Sequence, residues 1–547
     1  MSHQNPSCIP IPNHKQVKIV KKYLELNNAA SKAPFSACTF GNAFTGSEIF
    51  IGSGNAGPNG EPIDPSMYWR LACQTKLIGQ LTLGAALEDG IIESIDTPIW
   101  KFIPEIANIT QYVSDSVAVI ENNIHVLDDF GTPKYTQILT EDPDLGKSIT
   151  IKMLLTHSAG FGYAFWGLGS LRKKYVDAFS DKKEGQNYIA WIQNMEKNNL
   201  YTGTPVSSYL NKTNVTYTDS IKERLRFPLL HKPGTNNVYG TEPTFLGGVI
   251  SGALKEKGIR ETAAEYTQRR FFKPLGIRSI WFNCGSSNPP EDVNSKLTNA
   301  FFVRQDTSGD SSKSGSYQKG LNVNYNTLYR VFNKNAKGDG FKNQTLDVFT
   351  QPKTKDSLKK DPYASGYDWS GCGTMNDFCK ILKLLINKGY NAETKTQILS
   401  KQTVEWLLTS KYSPEKLALG LNATNCNLTN LLEPSATWCG GYCKFMENTD
   451  SLPYPCGPNT HTWIGFFGTT YYFDTETGNY LMSGTQSFLG SWQLSTSTKS
   501  FEPNAAFIWK TLTSAGDAGG ATRSSRKTGD ATRSSRRRRG TAKQNLT

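Results

Sequence analysis

Apolar positions along this chain follow two different periods, and each period marks a different kind of element. Val17, Val20 and Leu24 recur at helical spacing over 15–26, and Pro34 blocks any continuation. Two short β-like runs, 37–40 and 48–51, flank Gly41-Asn42 and Thr45-Gly46 turn chemistry and predict a hairpin. A Gly/Pro-rich loop over 52–65 leads into a β-like run at 67–71, which stops at Cys73. Leu77, Ile78, Leu81 and Ala85 then return to helical spacing.

Further on, 117–127 reads as β and 149–157 as a helical turn that ends at Ser158-Ala159-Gly160. Amphipathic helices are predicted over 246–255, 261–272 and 374–388, with Lys273-Pro274-Leu275-Gly276 and Gly389 as stops. The stretch 285–360, rich in Ser, Asn, Lys and Gly, reads as a long, poorly packed insertion. Near the C-terminus, β-rich runs 469–473 and 480–486 surround an Asp474 to Gly478 turn, and a helix over 503–512 follows. Strands thus gather at the two ends of the sequence and helices in the middle. That order predicts an α/β (α+β) fold: an antiparallel sheet flanked by helices and built from both termini, with a mostly helical domain inserted. The expected divisions are 1–72 and 413–514 for the two parts of the α/β domain, 73–412 for the helical domain, and 515–547 for a tail.

Composition adds three constraints. The chain has 547 residues, 37% hydrophobic and 20% charged, which fits a globular protein with large cores. It contains no apolar run of membrane-spanning length and no secretory h-region near its start, so the expectation is a soluble protein, cytoplasmic by default. Of the net charge of +13, +7 falls in 515–547, where nine Lys/Arg face two Asp and Ala-Thr-Arg-Ser-Ser-Arg occurs twice. This tail is expected to be disordered, either a solvated appendage or a binder of nucleic acid or another polyanion through its phosphates. Ten cysteines are too few for a disulfide scaffold. Cys426, Cys439, Cys443 and Cys456 cluster, but their spacing is irregular for zinc, so two disulfides or four thiols are expected and no metal or cofactor is assigned.

The candidate chemistry sits at the strand-to-helix junction. A nucleophile delivered there meets unpaired backbone N–H groups and the positive end of the helix dipole. Lys76 follows Cys73 by about one turn, so its amine can return to the same face. A thiol in such a place is expected to shift toward thiolate.

Five stretches, in order, then resemble the serine β-lactamase and penicillin-binding-protein superfamily, and within it the class C-like esterases and acyltransferases. Arg70-Leu71-Ala72-Cys73-Gln74-Thr75-Lys76 is similar to the family's nucleophile motif, with Cys73 in place of serine. Leu154-Leu155-Thr156-His157-Ser158-Ala159-Gly160 resembles its Leu-Leu-Thr-His-x-x-Gly signature. Pro233-Gly234-Thr235 followed by Tyr239 looks like the segment of the second motif, Tyr-x-Asn. Phe272-Lys273-Pro274-Leu275-Gly276 resembles Phe-x-Pro-Leu-Gly, and Trp463-Ile464-Gly465 sits where the family has Lys-Thr-Gly or His-x-Gly.

The resemblance implies a covalent acyl-enzyme on Cys73, with Lys76 and Tyr239 as the proton-transfer pair. It further implies an oxyanion hole from the backbone N–H groups of Cys73 and Phe466, and substrate contacts from Trp463, Gly465 and Thr241. Three departures shape the expected activity: the cysteine itself, Gly240-Thr241 where the second motif carries Asn, and Trp463 where the third carries Lys or His. The last two argue against efficient β-lactam cleavage and favour small, neutral acyl or ester substrates. The competing reading is a catalytically silent member of the fold, kept for binding, whose basic tail anchors it to nucleic acid or an assembly.

Overall fold

The structure is a computed structural model that describes residues 12–29, 35–57, 60–125, 135–161, 228–240, 242–282, 290–305, 323–331, 342–344, 367, 371–411, 436–445, 456–465, 468–488 and 503–514. The basic tail, most of the 285–360 stretch and Cys426 lie outside these residues.

One seven-stranded antiparallel sheet organises the molecule. Its strands are β1 (Phe35–Asn42), β2 (Ser47–Gly54), β3 (Ala436–Trp438), β4 (Cys443–Phe445), β5 (Thr460–Gly465), β6 (Thr469–Asp474) and β7 (Asn479–Gly484), in the spatial order β3-β4-β5-β6-β7-β1-β2. The two predicted hairpins, β1–β2 and β6–β7, are therefore joined directly, through β1 against β7 with Ala37 opposite Gly484. β6 and β7 are buried along their whole length, because helices cover both faces.

On one face lie α1 (His14–Ala29) and, from the other end of the chain, α7 (Pro503–Thr513). Trp509 of α7 stacks on Tyr472 at 5.4 Å and meets Phe40 edge-on, while Tyr23 of α1 packs on Phe507 at 4.2 Å. The opposite face takes α5 (Met375–Ile386), whose Phe378 packs on Tyr471. Thr374 caps α5 by accepting from the Asp377 N–H, which satisfies one of the first-turn donors.

Beneath that face runs α2 (Thr75–Glu88), buried on all sides from Thr75 to Ala86. A helix apolar around its whole circumference belongs inside a fold. Here it is enclosed by α4 (Glu242–Glu256) and α6 (Lys401–Leu408), with Gly84 fitted against the Leu407 side chain. α3 (Ile151–Leu155) packs on α4.

Several local expectations are revised. The antiparallel pairing of the 67–71 run is confined to Trp69–Arg70, against Gly373 and Cys372, with Tyr68 bridging Leu297 in parallel, because the chain turns at once into the Ala72–Gln74 helical turn. The 117–127 run breaks at Asn122-Asn123, both left-handed, so Ile120–Glu121 and Ile124–His125 form a small hairpin, and the longer strand is Gln111–Ala118. The 261–272 helix is α-helical over Ala263–Thr267 and widens to a π turn over Gln268–Phe272. Within the stretch read as a poorly packed insertion, Ala300–Gln305 pairs with Val323–Val331 and with Ser487–Phe488. Cys38, Cys372, Cys379, Cys439, Cys443 and Cys456 are buried thiols. Among the described residues no group of His, Cys, Asp and Glu could hold a metal ion, and no helix is long and apolar enough to cross a membrane.

The core also carries a pH dependence. His461 on β5 is fully buried, stacks on Phe473 at 4.6 Å, and places Nδ1 3.0 Å from the Asn459 carbonyl. Burial pushes it down to about 3, with the Lys444 charge acting in the same direction. The unfolded chain therefore binds the extra proton first as pH falls below the ordinary histidine value. Stability should drop by about 1.4 kcal/mol per pH unit for this group between about 6.5 and 3. Urea titrations at stepped pH should show that contribution as the part of the slope that His461→Phe removes.

Candidate active site

Three segments distant in sequence meet at the turn that carries Cys73. The first is the turn itself. The Leu71 N–H donates to the Gly371 carbonyl at 2.9 Å, and Ala72 then adopts φ +49°, a left-handed conformation that a side chain resists. Thr75 ties the turn down: its hydroxyl donates to the Ala72 carbonyl at 2.6 Å and accepts from the Gly371 N–H at 3.1 Å. Arg70 anchors the approach, exchanging backbone bonds with the Gln486 side-chain amide and donating from Nη1 to the Thr298 carbonyl at 2.6 Å. Cys73 is left half-buried, whereas every other described cysteine is buried. Lys76, one turn along α2, is only 1% exposed.

The second segment brings Tyr239. The motif Thr156 to Gly160 serves as its scaffold. The His157 carbonyl accepts from the Val238 N–H, the Ser158 carbonyl from Gly234, the Gly160 carbonyl from Leu230, and the Thr156 carbonyl from the Asn237 amide. His157 itself is left-handed at φ +50°, which turns its ring toward Tyr239 at 4.8 Å between centroids. Its Nδ1 lies 3.1 Å from the Gly240 nitrogen and 3.0 Å from Glu242 Oε2, at the start of α4. Burial, reinforced by the Lys76 charge, lowers His157 below the ordinary histidine value despite the opposing Glu242 carboxylate. The imidazole is therefore a neutral, oriented spacer.

The third segment is the end of β5. A Cβ on Gly465 would fall inside contact distance of the Leu71 carbonyl oxygen and of Thr469 Oγ1, so only glycine lets this strand close on the Cys73 turn. Thr469 Oγ1 seals the approach with a 3.3 Å bond to the Leu71 carbonyl. Trp463, two residues earlier, places its indole N–H 3.0 Å from the Tyr239 phenol oxygen. Trp438 of β3 closes the group edge-on against Trp463 at 4.6 Å, with its own N–H on the Leu155 carbonyl. Across the ring of Tyr239, Lys76 Nζ lies 4.7 Å from the centroid.

The structure thus brings Lys76, Tyr239, Trp463 and Gly465 together around the Cys73 turn. Thr241 and Phe466 lie outside the described residues, and with them half of the expected oxyanion hole. Gly465 has a packing role, and the polar atom of Trp463 faces Tyr239. Glu242 was not anticipated, since a glutamate opening a helix reads as an ordinary dipole partner. The only sequence signal was its place, three residues beyond Tyr239.

An antiparallel sheet between helices, with a Cys-x-x-Lys helix start beneath its third strand and a tyrosine opposite, defines a β-lactamase-like protein. The chain belongs to the Beta-lactamase family, whose profile matches residues 45–488. It is 26% identical over 243 residues to the lovastatin esterase of Penicillium rubens, a match covering 44% of this chain and 45% of that protein. It is 24% identical over 248 residues to the acyltransferase CalJ of Penicillium decumbens, covering 45% and 43%. The chain therefore aligns with less than half the length of either curated relative. Among solved structures, simvastatin synthase (LovD) of Aspergillus terreus, in its LovD6 mutant form, superposes with a TM-score of 0.56 at 15% identity, covering 92% of this chain and 94% of that one. EstCE1, a hydrolase with promiscuous acyltransferase activity, gives 0.54 at 14% identity, covering 91% and 99%. At such identities these two establish the fold.

Gly465→Ala should push β5 off the Leu71 carbonyl. The expected cost is about 1–3 kcal/mol of stability from overpacking, and about a hundredfold in any turnover at Cys73 for a shift of about 1 Å. Thermal unfolding and ester turnover measured on the same preparation check both.

Proposed function

We propose that this chain is an acyl hydrolase or acyltransferase that carries its acyl group as a thioester on Cys73. The observation that carries this reading is the convergence on one turn of a half-exposed cysteine, a buried lysine over the ring of Tyr239, and a strand that only Gly465 allows to close. Relatives that include an esterase and an acyltransferase support the same reaction class.

In the proposed reaction Tyr239, as phenolate, takes the proton of the Cys73 thiol while the sulfur bonds to the acyl carbon. Collapse of the tetrahedral adduct breaks the ester C–O bond, and Tyr239 returns the proton to the departing alkoxide. Water or another alcohol then adds to the thioester and gives its proton to Tyr239; the C–S bond breaks, and Tyr239 returns that proton to the sulfur, restoring the thiol and the phenolate. Lys76 stabilises the electron-rich ring across its face, a cation over an aromatic in a dry site. The substrate class that suits the site is a neutral ester with an apolar acyl group. Aromatic rings pack around Tyr239, and at position 463 a tryptophan stands in place of the cation that would meet a β-lactam carboxylate.

Intact-mass analysis after exposure to activated short-chain esters tests this. One acyl adduct per chain is expected, lost in Cys73→Ala and slowed at least about a hundredfold in Tyr239→Phe. An adduct that persists in Cys73→Ala sinks the assignment, and turnover of a β-lactam at the rate of the esters sinks the substrate class.

A further inference from the structure

The third motif has a second role at this site. We infer that Trp463 works on the base: its indole N–H is a fixed hydrogen-bond donor to the phenol oxygen of Tyr239 that favours the phenolate. The inference rests on the reading of Tyr239 as the proton carrier.

The geometry is direct. Trp463 Nε1 lies 3.0 Å from the Tyr239 oxygen, and both side chains are buried, at 2% and 4% exposure. An indole N–H can only donate, so the phenol oxygen must accept. A donor aimed at that oxygen stabilises the anion more than the neutral phenol, because charge-assisted bonds are about twice as strong as neutral ones. The low local dielectric strengthens the preference. The donor is also well held. Tyr471 stands opposite Trp463 in the β5–β6 pairing, and Trp438 packs edge-on against the indole. No proton moves through Trp463, which only biases where the proton on Tyr239 resides.

The groups that face Tyr239 from the surrounding elements are Lys76 from α2, His157 from the loop after α3 with Glu242 of α4 behind it, and Trp438 and Trp463 from the sheet. Lys76 is a nearby cation, with Nζ 4.7 Å from the ring centroid. The indole adds a hydrogen bond to the oxygen from a neutral donor.

Trp463→Phe keeps an aromatic ring and deletes the N–H. Trp438→Phe is the matched control, since it perturbs the same aromatic cluster but gives up a bond to the Leu155 carbonyl. Two readouts are needed. The first is the pH profile of Cys73 acylation by an activated ester. Its rising limb should move up by about one pH unit in Trp463→Phe and stay in place in Trp438→Phe. The second is independent of turnover: a fluorinated tyrosine at position 239, titrated by fluorine NMR, should ionise at higher pH in Trp463→Phe by a similar amount. An unchanged titration in Trp463→Phe, or an equal shift in both variants, overturns the inference. If the fluorotyrosine shifts as expected while Tyr239→Phe acylates at the wild-type rate, the hydrogen bond stands and the assignment of Tyr239 as base falls.

Discussion

The carbonyl of Leu71 is the fixed point of this molecule. It receives the Thr469 hydroxyl from β6, lies against the bare Cα of Gly465 on β5, and ends the strand that pairs with Gly373 and Cys372. Immediately after it the backbone turns left-handed at Ala72, a conformation costing about 1–2 kcal/mol for a residue with a side chain. Such a conformation persists only where its neighbours over-determine it. Here they include the Thr75 hydroxyl, the Gly371 backbone and the amide of Gln486, itself left-handed. The strain is met by contacts from four separate stretches of chain, so the position of Cys73 is set by the assembled sheet and not by the turn alone.

How much of this could be read in advance follows from what each signal depends on. The meeting of Lys76, Tyr239, Trp463 and Gly465 around the Cys73 turn was legible because their motifs have rigid internal spacing and a fixed order. Both hairpins and the buried helix after Cys73 were legible from turn chemistry and apolar period. What local sequence does not carry is direction in space. The bond from the Trp463 indole N–H to Tyr239 could not be read in advance, because it depends on the register in which β5 pairs with β6. Glu242 was silent because its role exists only once His157 is left-handed beside it. The role of Thr156 to Gly160 was equally hidden. Its carbonyls act as a template for a segment more than seventy residues later, and a template of backbone atoms leaves little mark on side-chain identity.

The electrostatics of the site explain why an aromatic residue suits position 463. Lys76 is already almost fully buried, and His157 is held neutral partly by its charge. The balancing carboxylate, Glu242, is buried as well and stands on the far side of the imidazole. A lysine at 463 would put a second ammonium into the same dry volume, where its desolvation costs several kcal/mol and repulsion from Lys76 adds to the penalty. An indole supplies a donor to the Tyr239 oxygen with no net charge to desolvate, and its ring fills the space against Trp438. The cost is the loss of a cation that could hold an anionic substrate. The same residue therefore bears on two properties together: it gives the Tyr239 oxygen a donor, and it leaves position 463 without a charge that a carboxylate-bearing ligand could meet. A cysteine at position 73 suits the proposed reaction, since a thiol ionises more readily than a serine hydroxyl and would ask less of a base.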